Sequence, residues 1–296
     1  MRALVIGASG QVGGALLRAL AERGHEAVGT WRSFRVEGLE PLDLRDRARA
    51  AGLVERLRPD WIFCTAGMTR ADLCEERPAD ARREIVDDPL ALAEAGRRVG
   101  SGFLFYSSAY VFDGKTGAYT EAEPPSPINV YGECKVAAER RIAAEVERWI
   151  VARTIVVYGP EAQGKNFAYQ VLRAAARGER LGVAADQVAS TTYNEDLARA
   201  SVELAERERH GLWHLSAPDR EDRYAFARTV CEVFGEDAGL LVRQRTADLA
   251  QRAARPLDAT LVTARAQREL STAFAGVRRG LERMRDALGG NPYRRA

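Results

Sequence analysis

MRALVIGASGQVGGALLRAL, residues 1–20, sets the fold of this chain. Ala3–Ile6 is an apolar run too short for a helix, and Gly7 ends it. Gly7-Ala-Ser-Gly10-Gln-Val-Gly13 follows, and then the helical spacing of Ala15, Leu16, Leu17 and Leu20. Strand, glycine turn, helix is the order in which a GxxGxxG run has a mechanical meaning. Glycine permits the tight turn and the close approach of a pyrophosphate, and the helix N-terminus offers free N–H groups and a positive dipole end. Gly7, Ser9, Gly10, Gln11 and Val12 are therefore candidate cofactor residues.

A second strand is expected over His25–Gly29. Its end selects the nicotinamide cofactor, because an NAD site places Asp or Glu there to bind the ribose hydroxyls. Here the end reads Thr30-Trp31-Arg32-Ser33, with no acid. Arg32 and Ser33 suit a 2′-phosphate, which favours NADPH over NADH. Asp43 and Leu44, in Leu42-Asp43-Leu44, could bracket an adenine ring. Residues 46–57 have helical spacing, and Trp61–Cys64 is the next buried strand. Thr65, Ala66 and Gly67 turn off its end, small enough for a cofactor to lie against the backbone. Asp72, Glu75 and Glu76 fall at helical spacing in a polar stretch, which reads as a solvated face. A helix over Ile85–Val99 leads to the next strand.

That strand, Phe103–Tyr106, opens the run FLFYSSAYVFDGKTGAYTEAEPPSPINVYGECK, residues 103–135. It ends in Ser107-Ser108. A loop follows in which prolines at 124, 125 and 127 forbid regular structure, as suits a segment over an active site. Tyr131 and Lys135 stand four apart at the start of a helix, on one face. A phenol titrates near pH ~10, and an adjacent ammonium lowers that value, which makes Tyr131 a usable proton donor. Ser108 could hold a substrate carbonyl against the phenol.

Alternating strands and helices across residues 1–158 predict an α/β fold with a doubly wound, mostly parallel sheet. A sixth strand over Gly211–Leu215 is expected to rejoin that sheet, so that about 195–215 belong to the cofactor domain. Residues 159–194 and 216–296 then form a smaller substrate lobe, joined without a clean linker. The basic tail from Leu281 is expected to be partly mobile.

Composition excludes several classes. With 46% hydrophobic and 29% charged residues, the chain has the balance of a soluble globular enzyme. A net charge of +2 suggests neither nucleic acid nor an anionic membrane as partner. Four cysteines, at 64, 74, 134 and 231, match no zinc or redox spacing and read as reduced thiols in the cytoplasm. No metal site is expected. Only three of the 44 basic residues are lysines, at 115, 135 and 165.

Taken together, the glycine turn, Ser108, Tyr131 and Lys135 resemble the extended short-chain dehydrogenase/reductase superfamily. Further runs narrow the resemblance to the dTDP-4-dehydrorhamnose reductase family: Tyr110-Val-Phe-Asp-Gly114, Asn166-Phe167, Asp186-Gln187-xx-Ser190-x-Thr192-Tyr193-xx-Asp196-Leu197-Ala198 and Arg255-Pro256. The resemblance implies an NAD(P)H-dependent reduction of the C4 keto group of a nucleotide-linked, dTDP-type 4-keto-6-deoxy sugar. It implies Tyr131 as proton donor, Lys135 on the nicotinamide ribose, and Ser108 on the carbonyl. Ala109, Val111, Asn166, Gln187 and Arg255 map to the substrate side, with Arg255 toward the diphosphate. Asn166 also reads as a helix N-cap. Two departures stand out. Ala109 replaces a family acid, and Cys64-Thr-Ala-Gly67 replaces an Asn-Ala-Ala-Ala turn. Two other readings stay open: an epimerase or dehydratase with tightly bound NAD, and a non-catalytic subunit like the regulatory beta subunit of methionine adenosyltransferase. A homodimer is the candidate assembly.

Overall fold

The computed structural model describes residues 1–294. Seven strands form one parallel sheet: β1 (Arg2–Ile6), β2 (Glu26–Trp31), β3 (Glu40–Pro41), β4 (Trp61–Cys64), β5 (Gly102–Ser108), β6 (Trp149–Thr154) and β7 (Gly211–His214), in the order β7-β6-β5-β4-β1-β2-β3. The expected doubly wound sheet is present. The order reverses between β1 and β4, and ligands of such sheets bind beyond the strand ends at that reversal. β1, β4 and β5 read as continuous apolar runs because helices cover both faces.

The helices that bear on the site are α1 (Gln11–Glu22), α2 (Arg47–Leu57), α3 (Ala71–Glu76), α4 (Asp88–Arg98), α5 (Val130–Glu145), α6 (Phe167–Arg177), α7 (Asn194–Glu206), α8 (Arg223–Phe234) and α9 (Val277–Leu288). One core packs Leu4, Ile6, Ile62 and Phe105 against α2, α4 and α5. The opposite core packs Val5, Trp61, Phe63 and Leu104 against α1 and α7. The alternation of side chains along each strand thus feeds two helix layers. A third core joins α6, α8 and α9 around Tyr158, Tyr193 and Phe226, beyond the carboxyl ends of the strands.

Outside the large sheet, a short strand follows the turn at Gly178. Leu181–Ala184 pairs in parallel with Leu241–Gln244, sixty residues away. The tail departs from expectation. Residues 281–288 complete α9, and Asn291 is buried, its Nδ2 donating to Leu172 O at 3.1 Å and Glu236 Oε1 at 2.8 Å. The amphipathic spacing of Val277, Leu281 and Met284 holds this helix on the third core, which outweighs its many arginines. Residues 295 and 296 lie outside the described part. No helix among the described residues is long and apolar enough to cross a membrane. All four cysteines are free and buried.

Candidate active site

Gly7 carries the chain from β1 into α1 at φ +81°, a conformation natural to glycine. A Cβ there would meet Thr65 Oγ1 at 2.9 Å. One on Gly13 would meet Gly7 O at 2.5 Å and Ala8 Cα at 2.6 Å. The turn is therefore packed to the limit that glycine permits, directly beside the turn after β4. Gly10 caps α1 without a side-chain bond, leaving first-turn N–H groups for a ligand. Gly7, Ser9 and Gly10 border a cavity of about 160 Å³ with Arg32, Ser33, Leu44 and Thr65–Gly67. Those features fit a dinucleotide. The carboxylate of Asp43 turns away to Arg45 instead, while Leu42 and Leu44 face the cavity. Arg32 Nη1 lies 3.1 Å from Glu84 Oε1, half exposed.

Thr65, Ala66 and Gly67 also border a second cavity of about 540 Å³, so the two spaces meet at this turn. Gln11 and Val12 face the larger space, and Gln11 Oε1 is buried without a partner. Ser108, Tyr131 and Lys135 converge on the same cavity. Each is placed by a different local device. Ser108 ends β5 and caps a short helical turn, its Oγ accepting from Tyr110 N at 3.2 Å. Asn129 caps α5, accepting from Gly132 N at 2.8 Å, while its Nδ2 donates to Ala254 O. A Cβ on Gly132 would stand 2.1 Å from Tyr110 O, so glycine lets α5 approach the strand end. Tyr131 packs edge-on to Tyr110 with ring centres 5.8 Å apart.

Lys135 is buried, 5.6 Å from the Tyr131 ring centre, and its Nζ donates to Tyr106 O at 2.7 Å. Desolvation pulls its pKa down to about 8. The expected lowering of the Tyr131 pKa is corrected. Burial pushes that phenol up, and the nearby Ser108 hydroxyl only partly offsets it. Removing the phenolate from water outweighs the lysine, whose own charge is desolvated and engaged by a carbonyl.

Gln187 and Arg255 border the larger cavity. Gln187 Nε2 donates to Thr246 Oγ1 and Gln251 Oε1, both at 3.1 Å. Arg255 is neutralised by Asp72 at 2.7 Å. Ala109, Val111 and Asn166 are placed otherwise than expected. Ala109 and Val111 are fully buried with Phe112 and Tyr119 in a small core, because the helical turn after Ser108 rolls both inward. Asn166 stands at the α6 N-cap position but does not cap. Its Nδ2 donates to Gly159 O and Glu161 Oε1, and its Oδ1 has no partner.

Two other expectations change. Asp72 accepts from Ala253 N and Arg255, and Glu75 accepts from Val130 N at 2.8 Å, so neither belongs to a solvated face. These acids clamp the start of α5 and the segment 253–255 across the cavity mouth. The proline loop contributes nothing to the cavity wall. Tyr119 stacks on Phe112 at 4.1 Å and bridges to Leu261 instead. Sequence reading also missed Arg223. It begins α8, stacks over Phe167 at 4.3 Å and borders the cavity with no ion pair among the described residues. In so arginine-rich a chain, nothing local marks it.

Comparison with known proteins places this geometry. The profile of the RmlD substrate binding domain matches residues 1–289. The chain belongs to the RmlD substrate binding domain family. A dTDP-4-dehydrorhamnose reductase from Burkholderia thailandensis is 33% identical over 240 residues, 78% of this chain and 77% of that protein. The "Probable low-salt glycan biosynthesis reductase Agl14" of Haloferax volcanii is 30% identical, covering 91% of this chain and 92% of its own. Among solved structures, the dTDP-4-dehydrorhamnose reductase of Bacillus anthracis in complex with NADP superimposes with a TM-score of 0.89 at 25% identity, over 97% and 99% of the two chains. This RmlD-family chain thus has the extended short-chain dehydrogenase/reductase fold, with Ser108, Tyr131 and Lys135 gathered at one cavity.

Proposed function

We propose that this chain is an NADPH-dependent reductase of the C4 keto group of a nucleotide-linked 4-keto-6-deoxy sugar, dTDP-linked as in its named relatives. The observation that carries the reading is the convergence of Ser108, Tyr131 and Lys135 on a cavity of about 540 Å³ that meets the glycine-turn cleft at Thr65–Gly67. Gly7, Ser9, Gly10, Arg32 and Ser33 would hold the cofactor. When bound, it supplies hydride to the carbonyl carbon.

The chain's own residues do the rest. The Tyr131 hydroxyl gives its proton to the C4 oxygen as that oxygen gains charge. Its raised pKa keeps it protonated throughout the neutral range, as a proton donor must be. Ser108 Oγ–H orients the same oxygen. The Lys135 ammonium supports the phenolate left behind, from the same helix face. Gln187 stands on the substrate side, and residues 159–194 with 216–294 close the substrate end. The basic pair toward a diphosphate is Arg223 with Arg255. Arg223 is the freer of the two, because Asp72 already neutralises Arg255.

Two experiments test this. NADPH oxidation on adding a dTDP-4-keto-6-deoxy sugar is expected; no turnover with any such sugar refutes the assignment. For Arg223, calorimetry with dTDP should show Arg223→Met weakening binding by about 30-fold, with NADPH affinity unchanged, since a desolvated guanidinium gives strong bidentate bonds to phosphate. An unchanged dTDP affinity removes Arg223 from the diphosphate site.

A further inference from the structure

The end of β2 lacks the carboxylate that would receive an unphosphorylated ribose, yet the cleft beside it contains one from another element. Glu84 sits on a π-helical turn, Arg83–Asp87, between the short helix Pro78–Arg82 and α4. Such turns hold one extra residue against the helical ladder and recur at functional sites. This one abuts the cofactor cleft: a Cβ on Gly67 would lie 3.4 Å from Glu84 O. The Glu84 side chain borders the smaller cavity together with Arg32 and Ser33. It is 15% exposed and reaches Arg32 Nη1 at 3.1 Å, while Arg32 is 49% exposed.

Neighbouring acids are less suited. Asp88 borders the same cavity but is buried, with Arg47 at 3.9 Å, and its carboxyl is pushed up by desolvation. Asp43 is occupied by Arg45. We propose that Glu84 supplies the ribose carboxylate missing from the end of β2, and that its pairing with Arg32 sets the preference between NADPH and NADH. The inference rests on the cofactor reading above.

The chemistry is a competition between two charges. A ribose 2′-hydroxyl donates a hydrogen bond, which Glu84 accepts and Arg32 cannot. A 2′-phosphate is attracted to Arg32 and repelled by Glu84. Binding NADPH therefore requires Arg32 to be shared between phosphate and carboxylate. Binding NADH leaves the ion pair intact. The cleft accepts both cofactors, and the pair limits how far it can favour the phosphorylated one.

Dissociation constants for NADPH and NADH, with adenosine 2′,5′-bisphosphate and ADP as fragments, decide the matter without any turnover. Glu84→Gln should weaken NADH by about tenfold and tighten NADPH severalfold, because it exchanges a charged acceptor for a weaker neutral one and removes a repulsion. Arg32→Met, on the exposed partner, should weaken NADPH and the bisphosphate by about tenfold and leave NADH and ADP within a factor of about two. The opposite signs in Glu84→Gln separate a specificity role from a general loss of structure. A Glu84→Gln protein that changes both affinities in one direction, or neither, overturns the proposal. If the unaltered chain binds neither nucleotide, the cofactor reading itself is refuted.

Discussion

Tyr131→Phe should lower kcat by a factor on the order of 10³, because it removes the hydroxyl proposed to give its proton to the substrate oxygen. That loss corresponds to about 4 kcal/mol of transition-state stabilisation. NADPH affinity should stay where it was, and so should the melting temperature, since the ring keeps its packing on Tyr110. Single-turnover assays with saturating NADPH and ketosugar nucleotide measure the first, and thermal unfolding the second. A variant retaining more than about a tenth of the rate shows that the proton comes from elsewhere, with Ser108 or water as the donor.

Lys135→Met is expected to do two opposite things. Activity should fall by a factor of about 10² or more, through loss of the charge that supports the Tyr131 phenolate. Stability should rise. The Lys135 pKa is pulled from 10.5 to about 8 by burial, so holding the ammonium in the folded chain costs about 3 kcal/mol at neutral pH. Losing the bond to Tyr106 O returns about 1 kcal/mol of that, which leaves a net gain. The pH dependence has a definite sign. Below pH 8 lysine is charged both folded and unfolded, and the full cost is present. From pH 8 to 10.5 the unfolded chain keeps a proton that the folded chain has released, so the native protein gains stability as pH rises. The advantage of Lys135→Met should therefore be largest below pH 8 and fade above it. Denaturant unfolding at pH 7 and pH 10 measures this. A variant less stable than the native protein at pH 7 would mean that the ammonium is better solvated than its burial suggests.

The Lys135 prediction places activity and stability in opposition at one residue. Buried among Phe105, Cys64 and Tyr106, Lys135 would be better replaced by an apolar side chain if folding were the only demand.

The cofactor half of the molecule was legible because its signals are local. A strand of four apolar residues, a glycine turn and an amphipathic helix are each readable from neighbouring residues. The strand Gly211–Leu215 was legible for the same reason, and it pairs with β6 as Gly211–His214. Tyr131 and Lys135 were legible as a helical pair, though the local argument gave the wrong direction for the phenol. Proximity of an ammonium is visible in a four-residue spacing, whereas desolvation depends on everything packed around the site.

The rest belongs to contacts between distant parts of the chain. Asp72 and Glu75 looked solvated because their partners, residues 253–255 and Val130, lie 181 to 183 and 55 positions away. The family resemblance mapped Ala109 to the substrate side, but the helical turn after Ser108 buries it in a small core. Arg223 is one arginine among many until α8 sets it over Phe167 at the cavity wall. Periodicity and turn chemistry are properties of a few consecutive residues, so they specified the α/β class, the glycine turn and the helical spacing of Tyr131 and Lys135. Charge neutralisation, burial and the facing of one side chain to another arise only when the chain closes on itself. Those decided which arginine borders the cavity with no ion pair among the described residues, which carboxylate reaches Arg32, and in which direction the Tyr131 pKa moves.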